Sequence, residues 1–170
     1  DKLKIAGELA VKDLTALLAF LSTAEDDLAL AGLLKSPLFG WSEQDLFDLA
    51  HRRAAKKYLW QEMRDRRTEF PETMEVLDDL RNSSDFLRPF DLLERALTRH
   101  DGRRKLIARL GEEAVDGIDA LLDQAQSYEQ TDVPNLTGFL TWLEAEDVEI
   151  KPQAESAGDQ IRVMTIHGAK

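Results

Sequence analysis

The run Leu14-Thr15-Ala16-Leu17-Leu18-Ala19-Phe20-Leu21 decides the fold class. Its leucines fall at i, i+3, i+4 and i+7, which places them on one face of an α-helix. The same spacing recurs at Ile118, Leu121, Leu122 and Ala125, and again at Leu136, Phe139, Leu140 and Leu143 just after Pro134. Leu30, Leu33 and Leu34 follow Glu25-Asp26-Asp27, whose charge suits a helix N-terminus. Ser36-Pro37-Leu38-Phe39-Gly40 breaks that helix, because Pro37 pushes Ser36 out of the helical region and Gly40 supplies turn freedom. Ser42 with Asp45 predicts a capping box opening a helix with Leu46, Phe47 and Leu49. A further helix is expected around Lys56 to Arg66, carrying Leu59 and Met63. Pro71 and Pro89 each fit the first turn of a helix, with Val76, Leu77 and Leu80 on one and Leu92, Leu93, Ala96 and Leu97 on the other. Asp101-Gly102 interrupts the second, and Leu106, Ile107 and Leu110 run on to a stop at Gly111.

The pattern changes near the C-terminus. Val148-Glu149-Ile150 is short and β-branched. Residues 151–160 hold Pro152, Ser156 and Gly158 and read as an exposed loop. Ile161-Arg162-Val163-Met164-Thr165-Ile166 is the good strand candidate, β-branched at four of six positions. The expectation is a mainly α protein of about eight helices with one or two short C-terminal strands. The chain opens on Asp1 rather than Met and closes on Lys170 directly behind the strand, so it reads as a piece of a larger protein.

Composition narrows the function. Of 170 residues, 43% are hydrophobic and 32% charged, too apolar for a disordered chain. The net charge of -11 argues against a bulk cationic nucleic-acid coat or a polybasic membrane anchor. With no cysteine there is no disulfide framework, thiolate metal site or Cys nucleophile. The longest apolar stretch, Leu14 to Leu21, is too short to span a bilayer, and no signal peptide is visible, so the expectation is cytoplasmic, with no membrane partner.

Charge is unevenly spread. From Leu110 to Ile150 there are 11 Asp or Glu and no Lys or Arg, so the rest of the chain balances at 22 against 22. Two basic clusters lie in the balanced part. One runs from His51 to Arg67 and includes Arg52, Arg53, Lys56 and Lys57; the other runs from Arg95 to Arg109. Each has two readings. One is a solvated helix surface, pairing with the acidic 110–150 segment of the same fold. The other is a phosphate-contacting patch in which Arg and Lys displace counterions. Tyr58 and Trp60 in the first cluster could stack on a base, but aromatics in amphipathic helices usually serve the core, as Trp41 and Trp142 also suggest.

Other chemistry is missing. No G-x-x-x-x-G-K-[ST] loop and no dinucleotide fingerprint is present, and no glycine sits five residues before Gly168. His51, His100 and His167 are far apart and lack partners at metal-ligand spacing. The carboxylate pairs Asp26-Asp27, Asp78-Asp79 and Glu112-Glu113 are adjacent, so on a helix they diverge and form no acid/base dyad. No catalytic residue, cofactor site or metal site is expected within the chain.

Two segments carry a family resemblance. Ile161-Arg162-Val163-Met164-Thr165-Ile166-His167-Gly168-Ala169-Lys170 resembles motif V of superfamily 1A DNA helicases of the UvrD/Rep/RecB type, a strand ending in T-x-H-x-A-K that normally continues G-L-E. Asp26-Asp27-Leu28-Ala29-Leu30 through Ser36-Pro37-Leu38-Phe39-Gly40, then Ser42-Glu43-Gln44-Asp45-Leu46, is similar to a segment of AddA-type double-strand-break repair helicase–nucleases. Phe139-Leu140-Thr141-Trp142-Leu143 resembles the helix that precedes motif V in that group. The resemblance implies that residues 1–147 form a helical 2B-like subdomain, 148–160 a linker, and 161–170 the start of a RecA-like 2A segment. It implies that Thr165 and His167 touch the backbone of single-stranded DNA, where a hydroxyl and an imidazole at a strand end can meet phosphate. Duplex DNA at the helical subdomain, through Arg52, Arg53, Lys56 and Lys57, is a further expected partner, as is a second helicase–nuclease subunit.

The parent protein would use ATP and Mg for DNA unwinding in double-strand-break repair and recombination and would carry a nuclease. The phosphate loop, the Mg-binding carboxylates and the nuclease domain lie outside this chain, which by itself is expected to be inactive. Two alternatives stand beside this reading: a helical docking module for a partner subunit, and the 2B subdomain of a UvrD-like helicase without nuclease.

Overall fold

Helix α1 (Lys2–Ser22) is the central element of the fold, and most of the later helices pack on it. In this computed structural model, residues 2–131 and 133–146 are described. They form eight further helices: α2 (Asp27–Lys35), α3 (Glu43–His51), α4 (Leu59–Asp65), α5 (Pro71–Ser84), α6 (Pro89–Glu94), α7 (Gly102–Leu110), α8 (Ala114–Glu129) and α9 (Leu136–Glu146). No strand occurs among the described residues, and the mainly helical expectation is borne out. The strand candidates at 148–150 and 161–166 lie outside the described residues.

The leucine stripe of α1 explains its central place. Leu14, Leu17, Leu18 and Leu21 are all buried, and α1 packs on α8, α2 and α9. From α8, Ile118, Leu121, Leu122 and Ala125 enter the same core; α9 contributes Phe139 and Leu143. Each buried leucine contributes roughly 1.5–3 kcal/mol of transfer free energy. Trp60 is buried with its ring edge-on to Phe20, centroids 5.2 Å apart. Trp41 and Trp142 are half-buried against the core, so all three tryptophans serve packing.

Helix ends follow the local chemistry. Asp26 caps α2, its Oδ1 accepting the Ala29 N–H at 3.0 Å. Ser42 and Asp45 form the expected capping box of α3: Ser42 Oγ accepts the Asp45 N–H at 3.0 Å, and Asp45 Oδ2 accepts the Ser42 N–H at 2.8 Å. Pro71 and Pro89 open α5 and α6. Helix α6 continues through a π-helical stretch, Arg95–Arg99, until Asp101 takes a left-handed conformation at φ 60° and α7 starts afresh.

One helix is shorter than expected. Helix α4 starts at Leu59 rather than near Lys56, because Arg53 to Tyr58 form a loop with Lys56 at φ 67°. The Leu59 N–H donates to Asp27 Oδ1 at 2.9 Å, so α2 anchors the start of α4 from outside.

Candidate nucleic-acid interface

Asp27 organises the first basic cluster. Its carboxylate accepts the Leu59 N–H and the Arg53 guanidinium, and Arg53 Nη1 also donates to the Lys57 carbonyl at 3.1 Å. Lys57 reaches in the opposite direction. Its Nζ meets Glu62 Oε2 at 2.7 Å and Asp65 Oδ2 at 2.6 Å, and these bonds hold its pKa above the ordinary lysine value. Arg53 and Lys57 are therefore committed to the loop's own architecture. Arg52 and Lys56 are exposed on it. Of the four candidate contacts in this cluster, two face solvent and two hold the fold.

The remaining arginines of the cluster are mostly paired as well. Arg66 forks onto Glu69, with Nε–Oε1 at 3.0 Å and Nη2–Oε2 at 2.8 Å, and also donates to the Asp48 carbonyl at 3.3 Å. The Arg66 contact holds the Glu69 carboxyl below its usual value. Arg67 pairs with Asp78 at 2.5 Å, and Arg64 lies over the Trp60 ring at 6.0 Å. Tyr58 is exposed, whereas Trp60 is closed off from any stacking role.

The second cluster is arranged differently. Arg95 grips Asp79 in a fork, Nε–Oδ2 at 2.8 Å and Nη2–Oδ1 at 2.7 Å, and His100 Nε2 meets the same carboxylate at 2.5 Å. Asp79 is thereby held well below the usual carboxylate range, first by the Arg95 bonds. Arg103 reaches Asp119 of α8 at 3.0 Å. This ion pair joins the second basic cluster to the acidic 110–150 segment. The other partners lie between Asp27 and Asp101, so the clusters are neutralised mainly by carboxylates of their own half. Sequence spacing alone missed this, because Asp27 and Arg53, or Asp79 and Arg95, meet only after the helices pack.

Thr165 and His167 lie outside the described residues. Among the described residues, no group of three or more His, Asp or Glu side chains could hold a metal ion. No described helix is long and apolar enough to cross a membrane.

Comparison with known proteins bears on what this arrangement is for. No protein-family profile matches the chain. An ATP-dependent helicase/nuclease subunit of Oceanobacillus iheyensis is 28% identical over 180 aligned residues, covering 95% of this chain. The chain is similar to a segment of the ATP-dependent helicase/nuclease. Proteins of the same name from Heliobacterium modesticaldum and Lactobacillus acidophilus agree, at 29% and 27% identity over 97% and 90% of the chain. The chain spans about 14% of the length of these helicase/nuclease proteins. The resemblance read from Asp26–Leu46 and Ile161–Lys170 is thus borne out. The ATP and Mg that it implies for the parent protein find no matching residues here: the chain has no phosphate loop, and its described residues offer no metal-holding group.

Proposed function

We propose that the chain is a helical accessory subdomain of an ATP-dependent DNA helicase–nuclease, acting in double-strand-break repair. In this reading residues 1–147 form a 2B-like unit spliced ahead of a motor strand, with 148–160 as linker and 161–170 as the start of the 2A segment. The unit guides duplex DNA and moves relative to the motor, while Thr165 and His167 contact the single strand. The observation that carries the reading is the match to helicase/nuclease proteins over nearly the whole chain. An all-helical described part accords with an inserted subdomain. ATP, Mg and the nuclease centre belong to the parent protein, and a second helicase–nuclease subunit is the natural protein partner.

Duplex binding measured against ionic strength tests the DNA-guiding part. The chain should bind a fluorescent duplex at low salt, with affinity falling steeply as salt rises. No binding even at low ionic strength would remove that role from this module. The purified chain should also show no DNA-dependent ATP hydrolysis, since it contains no phosphate loop.

A further inference from the structure

We propose that a basic groove between the Ser36–Trp41 turn and α7 is the surface that holds the phosphate backbone of duplex DNA; this rests on the DNA reading above and names its site. The groove encloses about 500 Å3, and its lining includes Lys35, Arg104, Lys105 and Arg109 but no carboxylate. In the first basic cluster, by contrast, two of the four cations Arg52, Arg53, Lys56 and Lys57 are committed to internal carboxylates.

The groove is built rather than accidental. Ser36 is buried; its Oγ donates to the Leu33 carbonyl at 2.6 Å, and its carbonyl accepts the Gly40 N–H at 2.8 Å. Gly40 closes the turn at φ 67°, a conformation that costs glycine little. Helix α7 is seated on this turn so tightly that a Cβ on Gly102 would lie 3.0 Å from Leu38 Cδ2 and 2.6 Å from the Ala96 carbonyl oxygen. Lys105 Nζ donates to the Leu38 carbonyl at 3.3 Å, tying the far side of the turn to α7. The Ser-Pro-Leu-Phe-Gly motif thereby forms one wall and α7 the other.

The charges on these walls are available. Arg109 is exposed and has no ion pair among the described residues. Arg104 pairs with Asp101, and Lys35 with Glu43, through side chains that remain in contact with solvent. Exposed pairs of this kind are worth little and can exchange for phosphate. Glu112 and Glu113 follow α7 but do not line the groove.

The aromatic lining decides the type of contact. Trp41 donates its indole N–H to Thr73 Oγ1 at 3.1 Å and packs on Phe70 with centroids 4.8 Å apart. Trp41 is the single aromatic of the groove lining, short of the row of rings on which the successive bases of a single strand stack. Four cations around one fixed ring fit the backbone of a duplex, held without regard to sequence.

The test uses the 170-residue chain, a fluorescein-labelled blunt duplex and anisotropy across a salt series. Arg104→Ala with Arg109→Ala should weaken low-salt binding about tenfold and lower the salt slope by about 2. Arg104→Lys with Arg109→Lys should keep the slope, because the charge remains. Arg52→Ala with Lys56→Ala should cost less than the groove pair. Both arginines are exposed, so an unchanged circular dichroism melt is expected and separates binding from folding. If the wild-type chain binds and the groove variant binds equally well, the groove assignment is wrong while the DNA reading survives. If the wild-type chain does not bind duplex at low salt, both fall together.

Discussion

Gly117 of α8 lies so close to Gly7 of α1 that a Cβ placed on it would fall 2.2 Å from the Gly7 carbonyl oxygen. Two glycines facing each other let the backbones of α1 and α8 approach more closely than side chains would allow. This crossing lies in the largest helix–helix interface of the fold, so everything mounted on α1 depends on it.

Gly117→Ala should therefore destabilise the protein, although alanine is the better helix former. Relieving the clash requires the two backbones to part, and overpacking of this kind costs about 1–3 kcal/mol. A thermal melt followed by circular dichroism should fall by several degrees. An unchanged or higher melting temperature would mean that the helices do not meet this closely.

The fork between Arg95 and Asp79, joined by His100, fastens α5 to the π-helical continuation of α6. Asp79 is held below its ordinary pKa, so its stabilising contribution is present above about pH 4 and is lost as pH falls below that. Asp79→Asn should cost about 1–3 kcal/mol at pH 7. Urea unfolding of both proteins should show the difference narrowing as pH drops below about 4.

Asp13 behaves in the opposite sense. Burial on α1 pushes its carboxyl up to about 6, opposed by Lys12. A raised acid pKa means that the folded state keeps the proton longer, so stability declines between about pH 4 and 6 and the deficit persists above. Asp13→Asn should be more stable than wild type by roughly 1 kcal/mol at pH 7, with no advantage below about pH 4. Equal stability at pH 7 would contradict the burial argument.

Lys56 and Arg53 separate fold from surface within one loop. Lys56 has φ 67°, a left-handed conformation costly to lysine, so Lys56→Gly should raise stability by about 0.5–1 kcal/mol. Arg53→Ala should lower it, since Asp27 loses its guanidinium partner at a half-buried position. Differential scanning calorimetry should show the two melting temperatures moving in opposite directions.

Much of this architecture was legible in the chain. The leucine stripe of α1, the Asp26 and Ser42 caps, the prolines opening α5 and α6 and the stop at Gly111 are all local rules acting within one or two turns. The start of α4 was not legible, because the Leu59 N–H bonds to Asp27, a partner far back in the chain. Nor could the fate of the basic clusters be read. Arg52, Arg53, Lys56 and Lys57 are similar in sequence, yet packing consumes the second and fourth and leaves the first and third exposed.

Periodicity, capping residues and two motif-like segments determined by themselves that the chain is helical and which proteins it is similar to, because short-range sterics and hydrogen bonding act on neighbouring residues. Tertiary packing alone decided which cations remain free, since an arginine's partner is whichever carboxylate the helices carry to it. It also created the groove at Ser36–Trp41, whose two walls are joined by the Lys105 bond to Leu38 across dozens of residues of chain.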